Sequence, residues 1–262
     1  MVNTPSPPPL IPTEQDFTIL PTPEPVNTLP PGVPPRATLF PQHNTYELIN
    51  FLLLGSDRRD ASRAYRTDVI IIASVNWRTQ TVNLLSIPRD LYVYIPGWGM
   101  ERINSAELFQ TQLEYTGHRL GLLAETIEYN LGIRIDHLAR IDFDNFENLI
   151  DVLGGVDIPV DCPVRGFQPG AEGSGEWIPF TLEPGLRRMT GAEALWYVRQ
   201  RTESSDFDRN RRQQILLRSI WYRAVQTDLV ANLPALWNQL IEMIETDVTL
   251  DQALGYIPIV VN

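Results

Sequence analysis

The 262-residue chain contains no lysine: all 21 of its basic residues are arginine. It has a single cysteine, Cys162, which rules out an intrachain disulfide and leaves the redox compartment open. Its three histidines, His43, His118 and His137, are scattered, which disfavours a zinc site or a histidine-dependent triad. A G-x-S-x-G elbow and a Walker-type loop are both missing. No apolar run approaches the ~18 residues that would read as a membrane span, and the start lacks the pattern of a signal peptide. A net charge of −11 argues against general affinity for nucleic acid or an anionic membrane surface.

Against that acidic background, seven arginines crowd between Arg199 and Arg223. Arginine is permanently charged and grips phosphate through paired hydrogen bonds, so the cluster points to an anion site. Thirteen of the 22 prolines fall between Pro5 and Pro41. Residues 1–44 therefore read as an extended or disordered linker that cannot build a core, and residues 45–262 as the folded domain.

Within that domain the apolar run Asn50–Leu54 ends at Gly55 and reads as a buried strand. Asp68–Val75 is the clearest strand, rich in β-branched residues. Thr81–Ile87 and Leu91–Ile95 follow after short links, which implies antiparallel pairing. Leu120, Leu123, Ala124, Ile127 and Leu131 share a helical face stopped by Gly132. A strand over Arg134–Ile141, a helix over Asn145–Leu153 and a strand over Val156–Val160 come next. Residues 161–189, rich in glycine and proline, read as mostly loop. Thr190 with Glu193 has capping-box spacing for a helix ending near Val198. A long helix starts near Asp206 and another covers Leu233–Ile244. The fold class is α/β: a three-layer-like sandwich with a central mixed, largely antiparallel sheet flanked by helices.

Three clusters carry candidate chemistry: Gly55-Ser-Asp-Arg-Arg-Asp60; Arg66-Thr-Asp68 with Ser86-Ile-Pro-Arg-Asp90; and Arg199-Gln-Arg201 with Asp206-Phe-Asp-Arg209 and Arg212-Gln213. If the first two strands are antiparallel neighbours, Asp57 and Asp68 approach each other. Two nearby carboxylates need a proton or a cation, and Mg²⁺ suits carboxylates plus a phosphate. The alternative is that both are strand-end charges paired with Arg58, Arg59 or Arg66. Arg209, Arg212 and Gln213 stand at i, i+3 and i+4, one face near a helix start, where the backbone also favours anions. Arg199 and Arg201 face the same way only if the chain is extended between them.

In this order the motifs resemble the LytR-CpsA-Psr family of bacterial envelope proteins. The carriers are Leu52-Leu-Leu-Gly-Ser-Asp57, Arg66-Thr-Asp68, Leu85-Ser-Ile-Pro-Arg-Asp90, Arg102-Ile-Asn104, Leu153-Gly-Gly-Val-Asp157, Gly191-Ala-Glu-Ala-Leu195, Tyr197-Val-Arg-Gln-Arg201 and Asp206-Phe-Asp-Arg209 with Arg212-Gln213. The resemblance implies a phosphotransferase that moves an anionic glycopolymer, such as teichoic acid or capsule, from a polyprenyl pyrophosphate carrier to peptidoglycan, with pyrophosphatase activity as a further capacity. It implies an apolar tunnel for the lipid with pyrophosphate and Mg²⁺ at its mouth. By the same resemblance, Asp57 and Asp68 contact the metal, and Arg59, Arg66, Arg89, Arg199, Arg201, Arg209 and Gln213 contact phosphate. Arg89, Asp206 and Asp90 are the catalytic candidates, the two aspartates as alternative bases for a sugar hydroxyl. The expected location is the extracytoplasmic face of the bacterial cell membrane, with association through a helix not present in this chain and no nucleic-acid partner. A non-catalytic envelope-lipid module and a soluble pyrophosphate hydrolase are the competing readings. Two positions depart from the family pattern: Thr67 where serine is usual, and Asp208 where glycine is usual, which adds negative charge near the phosphates.

Overall fold

The computed structural model describes residues 32–39, 48–57, 67–169, 176–201, 205–227 and 230–261. The chain divides into Met1–Pro35 and Arg36–Asn262, and the second unit carries all the helices and strands among the described residues. Most of the proline-rich segment lies outside the described residues. Ala37 already belongs to the second unit, where its amide donates to the Tyr129 carbonyl at 2.7 Å.

The sheet is built first. Strands β1 (Leu48–Ser56), β2 (Thr67–Asn76) and β3 (Thr81–Ser86) form an antiparallel meander. The turn between β2 and β3 is set by Asn76, whose side-chain oxygen accepts from the amides of Arg78 and Thr79 at 2.9 and 3.0 Å. Strand β4 (Tyr92–Ile95) leaves the sheet and pairs instead with β5 (Gly99–Arg102). After helices α1 (Ala106–Gln112) and α2 (Leu122–Leu131), β6 (His137–Asp142) returns parallel to β1. A late two-residue strand, β11 (Glu245–Thr246), completes the order β11-β6-β1-β2-β3, which is the mixed, mainly antiparallel sheet expected.

Helix α3 (Phe143–Val152) starts on Asp142, whose carboxylate accepts from the Asn145 amide at 2.8 Å. It stops at Gly154-Gly155, whose φ angles of 70° and 84° only glycine adopts freely. Strand β7 (Val156–Val160) follows. The expectation of loop over residues 161–189 is wrong. Strands β8 (Val164–Pro169) and β9 (Trp177–Leu182) pair as a hairpin, and β10 (Gly185–Met189) pairs with β7. These are two-stranded sheets, all edge, where proline and glycine are tolerated.

Helix α4 (Gly191–Arg199) has the predicted capping box of Thr190 and Glu193. Gly191 presses on α3: a Cβ there would lie 2.2 Å from the Glu147 carbonyl oxygen. Helix α5 (Asp206–Gln226) is the long helix, followed by α6 (Leu233–Met243), β11 (Glu245–Thr246) and α7 (Leu250–Val261). No helix among the described residues is long and apolar enough to cross a membrane.

Period-two alternation splits the sheet into two faces with different fates. Leu52, Leu54, Ile70 and Ile72 point to one side and join α1 and α2 in a closed core with Leu122, Leu123 and Ile127. A second core lies farther out on the opposite side, where Ile150, Ala194, Tyr197, Val198 and Leu216 from α3, α4 and α5 pack on Val156, Ile158 and Val160 of β7. No residue of β1, β2 or β6 belongs to it. The helices of the second core stand off from the sheet and leave a space.

Candidate functional site

That space is a cavity of about 360 Å³. Its floor is the sheet face opposite the first core: Leu53 and Gly55 of β1, Val69 and Ile71 of β2, Ala139 and Ile141 of β6. Its roof is Phe146 and Leu149 of α3, Leu195 and Val198 of α4, and Leu216, Leu217 and Ile220 of α5. At the carboxyl end of β1 the lining changes to Asp68, Arg199, Arg201, Arg209 and Gln213. An apolar chamber thus opens beneath a polar, mostly cationic rim.

Each rim residue is placed by local structure. The last strand pairing of β1 with β2, Ser56 opposite Thr67, brings the Asp57 and Asp68 segments to the same sheet end, and a β-bulge interrupts the register between Gly55 and Ser56. Thr67 is buried, and its hydroxyl donates to Glu107 Oε2 of α1 at 2.6 Å. Glu107 is also ion-paired with Arg140, which reaches Glu245 at 2.9 Å. The hydroxyl shared by threonine and serine is what this contact uses. Asp208, the other departure, is the third residue of a capping box with Ser205; its Oδ2 accepts from the Ser205 amide at 2.8 Å and hydroxyl at 2.7 Å. Those bonds hold the Asp208 carboxyl below the usual carboxylate range and turn it back on the helix start.

Arg89 leaves β3 on the Pro88–Asp90 turn. Its Nη1 donates to Asp68 Oδ1, and its Nε lies 3.4 Å from Asp90 Oδ2. Asp90 is held from its other side by Arg102 Nη1 at 3.2 Å. The Arg102-Ile-Asn104 motif clasps the same turn through its backbone: the Ile103 amide donates to the Leu91 carbonyl at 2.8 Å and the Asn104 amide to that of Arg89 at 3.3 Å. Burial pulls the Arg89 guanidinium down, but Asp68 and Asp90 outweigh it and hold it above the usual arginine range.

Arg209 is the most enclosed of the rim residues, with a side chain 3% exposed. Its Nη2 reaches Asp206 at 2.9–3.0 Å, while Nε and Nη1 have no hydrogen-bond partner among the described residues. Burial, then the adjacent Arg201, push its pKa down; Asp206 opposes, Arg89 adds to the push, and Asp68 opposes. Those influences place Arg201, Arg89, Asp206 and Asp68 around one guanidinium. Gln200 is extended (φ −61°, ψ 135°), the condition under which Arg199 and Arg201 face the same way, and both line the cavity. Arg199 lies over the Phe143 ring at 4.4 Å.

The shared face of Arg209, Arg212 and Gln213 divides in the structure. Arg209 and Gln213 line the cavity, whereas Arg212 donates to the Gln200 carbonyl and lies 5.8 Å from the Tyr197 ring. It pins the α4–α5 connection and is not part of the rim. Arg59 and Arg66 lie outside the described residues. Sequence reasoning did not single out Glu107, Arg140 and Phe143; the Asp142 cap, readable from its position three residues before Asn145, would have marked Phe143 as first in its helix.

Among the described residues no group of three or more acidic, histidine or cysteine side chains could hold a metal by itself. Asp68 lines the cavity and is only part-buried, and Asp57 follows β1 at the same end of the sheet. A donor set this sparse fits Mg²⁺, which keeps waters and takes one or two carboxylates alongside phosphate oxygens.

The site is thus an apolar chamber with an arginine-rich rim on an α/β scaffold. A profile of the LytR_cpsA_psr family matches residues 34–260, and the chain belongs to that family. It is 30% identical over 208 residues to the polyisoprenyl-teichoic acid–peptidoglycan teichoic acid transferase TagU of Oceanobacillus iheyensis, covering 79% of this chain and 61% of that one. It is 37% identical over 181 residues to the probable cell wall biosynthesis protein LcpB of Corynebacterium glutamicum, covering 63% and 39%. The chain thus spans less than two thirds of the length of these relatives. Among solved structures, Bacillus subtilis TagV superposes with a TM-score of 0.65 at 26% identity, covering 82% of this chain and 80% of that one. TagT (YwtF) with bound octaprenyl pyrophosphate superposes at 0.58 with 25% identity, covering 83% and 74%.

Proposed function

We propose that this protein transfers an anionic glycopolymer from a polyprenyl pyrophosphate carrier to peptidoglycan, at the extracytoplasmic face of the bacterial envelope. The observation that carries this reading is the continuity of the apolar chamber with the arginine rim. The chamber suits a prenyl chain and the rim suits a pyrophosphate. That octaprenyl pyrophosphate occupies the related TagT supports it.

The chemistry follows from the rim. The acceptor is a sugar hydroxyl, which attacks the phosphorus bonded to the polymer. The new bond is oxygen to phosphorus, the bridging pyrophosphate bond breaks, and polyprenyl monophosphate leaves. Phosphoryl transfer needs positioning and charge neutralisation above all. Arg209 lines the rim with Arg201 and Arg199 beside it, and its Nε and Nη1, buried and without a partner among the described residues, would serve the phosphates. Arg89 is oriented by Asp90, itself engaged by two guanidinium groups. Asp206, exposed at the mouth, is then the better placed acceptor for the hydroxyl proton. Asp57 and Asp68 would hold Mg²⁺, which when bound supplies charge neutralisation for the departing phosphate. Asp208 faces Ser205, so its charge is spent on the helix start.

The test is transfer itself. Purified protein is mixed with a polyprenyl-pyrophosphate-linked glycan, Mg²⁺ and a peptidoglycan fragment, and the phosphodiester-linked product is measured by mass spectrometry. Product should form, fall by about 10- to 100-fold in Arg89→Ala, where a charge-assisted contact worth ~1.5–3 kcal/mol is lost, and vanish with chelator. Carrier binding without turnover would replace this reading with a binding module. Release of phosphate from water-soluble pyrophosphates without transfer would replace it with a hydrolase.

A further inference from the structure

The lining of the chamber along β1 stops at Leu53, and an aromatic block follows on the same sheet face. The floor runs inward along the strands from the Asp68 rim through Gly55 and Leu53. The next residue on that face of β1 is Phe51, which pairs with His137 on β6 and Ala73 on β2. Phe51 does not line the cavity; it is half-buried, and its ring is met by two others. His137 stacks on it with centroids 5.2 Å apart, and Tyr256 of α7 meets it edge-on at 5.3 Å. Trp77 flanks Tyr256 at 5.6 Å.

Hydrogen bonds fix this aromatic block. His137 Nε2 meets the Tyr256 hydroxyl at 2.9 Å, and His137 Nδ1 meets Asp247 Oδ2 at 3.0 Å. Asp247 is anchored in turn by the Leu138 amide at 2.7 Å and by Arg119 at 2.6 Å. Burial pushes the Asp247 carboxyl up, but these three donors outweigh it and hold it below the usual range. Helix α7 is thus fastened to β6 by a relay of side chains across the far end of the sheet face, although apolar packing alone could seat a helix there. A polar relay makes the seat specific in position, and it is also the part that one substitution can loosen.

We infer that the Phe51–His137–Tyr256 block is the determinant of carrier length: it sets how many isoprene units the chamber admits before the tail must displace α7. This rests on the polyprenyl reading above. With the block in place, a cavity of about 360 Å³ would take a short prenyl tail. A long tail must either push the block aside or leave part of its length in water, and each carries a cost that short tails avoid. His137, Tyr256 and Asp247 are therefore specificity residues, remote from the phosphates.

The experiment measures binding of farnesyl, geranylgeranyl and undecaprenyl monophosphate to the full chain, wild type and two variants, by titration in mild detergent. Tyr256→Phe keeps the ring and removes the relay. Tyr256→Ala removes the plug. The expected result is affinity for farnesyl phosphate unchanged in both variants. Undecaprenyl phosphate should bind about fivefold tighter in Tyr256→Phe, the factor one hydrogen bond of net ~1 kcal/mol represents, and tighter still in Tyr256→Ala. Circular dichroism checks that both variants fold. If both are folded and long and short chains shift together, or neither shifts, the inference is overturned. If wild-type protein binds none of the three phosphates, the polyprenyl reading itself fails.

Discussion

Replacing Arg209 with methionine should strengthen the empty protein while it disables the site. The side chain is almost wholly enclosed, yet only Nη2 has a partner, Asp206, and two further N–H groups end without one among the described residues. Each such group, when it stays unpaired, costs about 1–3 kcal/mol. The contact to Asp206 offsets at most ~1 kcal/mol, because Asp206 is about half exposed. Methionine fills similar space without charge, and Asp206 can hydrate. The net gain is about 2 kcal/mol, within the range for swapping buried ion pairs to apolar groups. In a domain of this size that is a rise in Tm of roughly 4–8 °C. The same change removes two charge-assisted hydrogen bonds to phosphate, each worth ~1.5–3 kcal/mol, so carrier affinity should fall by at least about 100-fold. Differential scanning calorimetry of the empty protein and titration with a polyprenyl phosphate measure the two halves separately. A lower Tm for Arg209→Met would refute the reasoning, since it would mean the guanidinium is fully satisfied at rest and is structural.

Three further outcomes are expected. Ser205→Ala removes the cap that Asp208 reciprocates and should lower the Tm by roughly 2–4 °C, while carrier affinity in the same titration stays within twofold, because Asp208 faces the helix start. Glu107→Ala strips Thr67 and Arg140 of a shared buried partner and should cost about 3 kcal/mol by urea unfolding, with Asp68 less well placed and transfer reduced. Asp247 has a depressed pKa in the folded state, so its stabilising contribution is full above the ordinary aspartate value of about 3.9 and is lost as pH falls through the lower folded value. Acid unfolding followed by near-ultraviolet circular dichroism should therefore be shallower over that window in Asp247→Asn than in the wild type.

Local rules carried much of the reading of this chain. Dense β-branched residues made β2 legible, capping chemistry fixed Thr190 as a helix start, and Gly132 marked the end of α2. Arg134–Ile141 was recognisable as a strand, but its parallel pairing beside β1 was not, because the partner is chosen by the helices packing beneath it. The hairpin of β8 and β9 was hidden by Pro169 and Pro179, which are uninformative about strands that carry only one partner. Helix α7 shows little polar patterning, so its apolar run gave no hint of a docked helix. The candidate site was legible as residue types in order, and Asp57, Asp68, Arg89, Arg199, Arg201, Arg209 and Gln213 do assemble at one end of the sheet. The sequence left open which of the helical neighbours turns inward. Arg212 and Arg209 differ by three positions, and only packing against Gln200 and Tyr197 decides that one braces the connection while the other meets the cavity. The chamber was not legible at all, since Leu52 and Leu53 look alike and only the standing-off of α3, α4 and α5 separates a lining residue from a core one.

The contact between Arg89 and Asp68 carries a consequence for the order of events. At rest the two neutralise each other, so this corner of the mouth presents neither a bare cation nor a bare anion, while Arg199, Arg201 and Arg209 keep the rest of the rim cationic. A phosphate arriving alone must take Arg89 from its carboxylate, and a metal arriving alone must take Asp68 from its guanidinium. Each would strand the other half. Arriving together, they exchange one ion pair for two, so their affinities should be positively coupled and each ligand should raise the other's by the same factor. On the proposed reading, this pair would then open more readily to magnesium and phosphate together than to either alone.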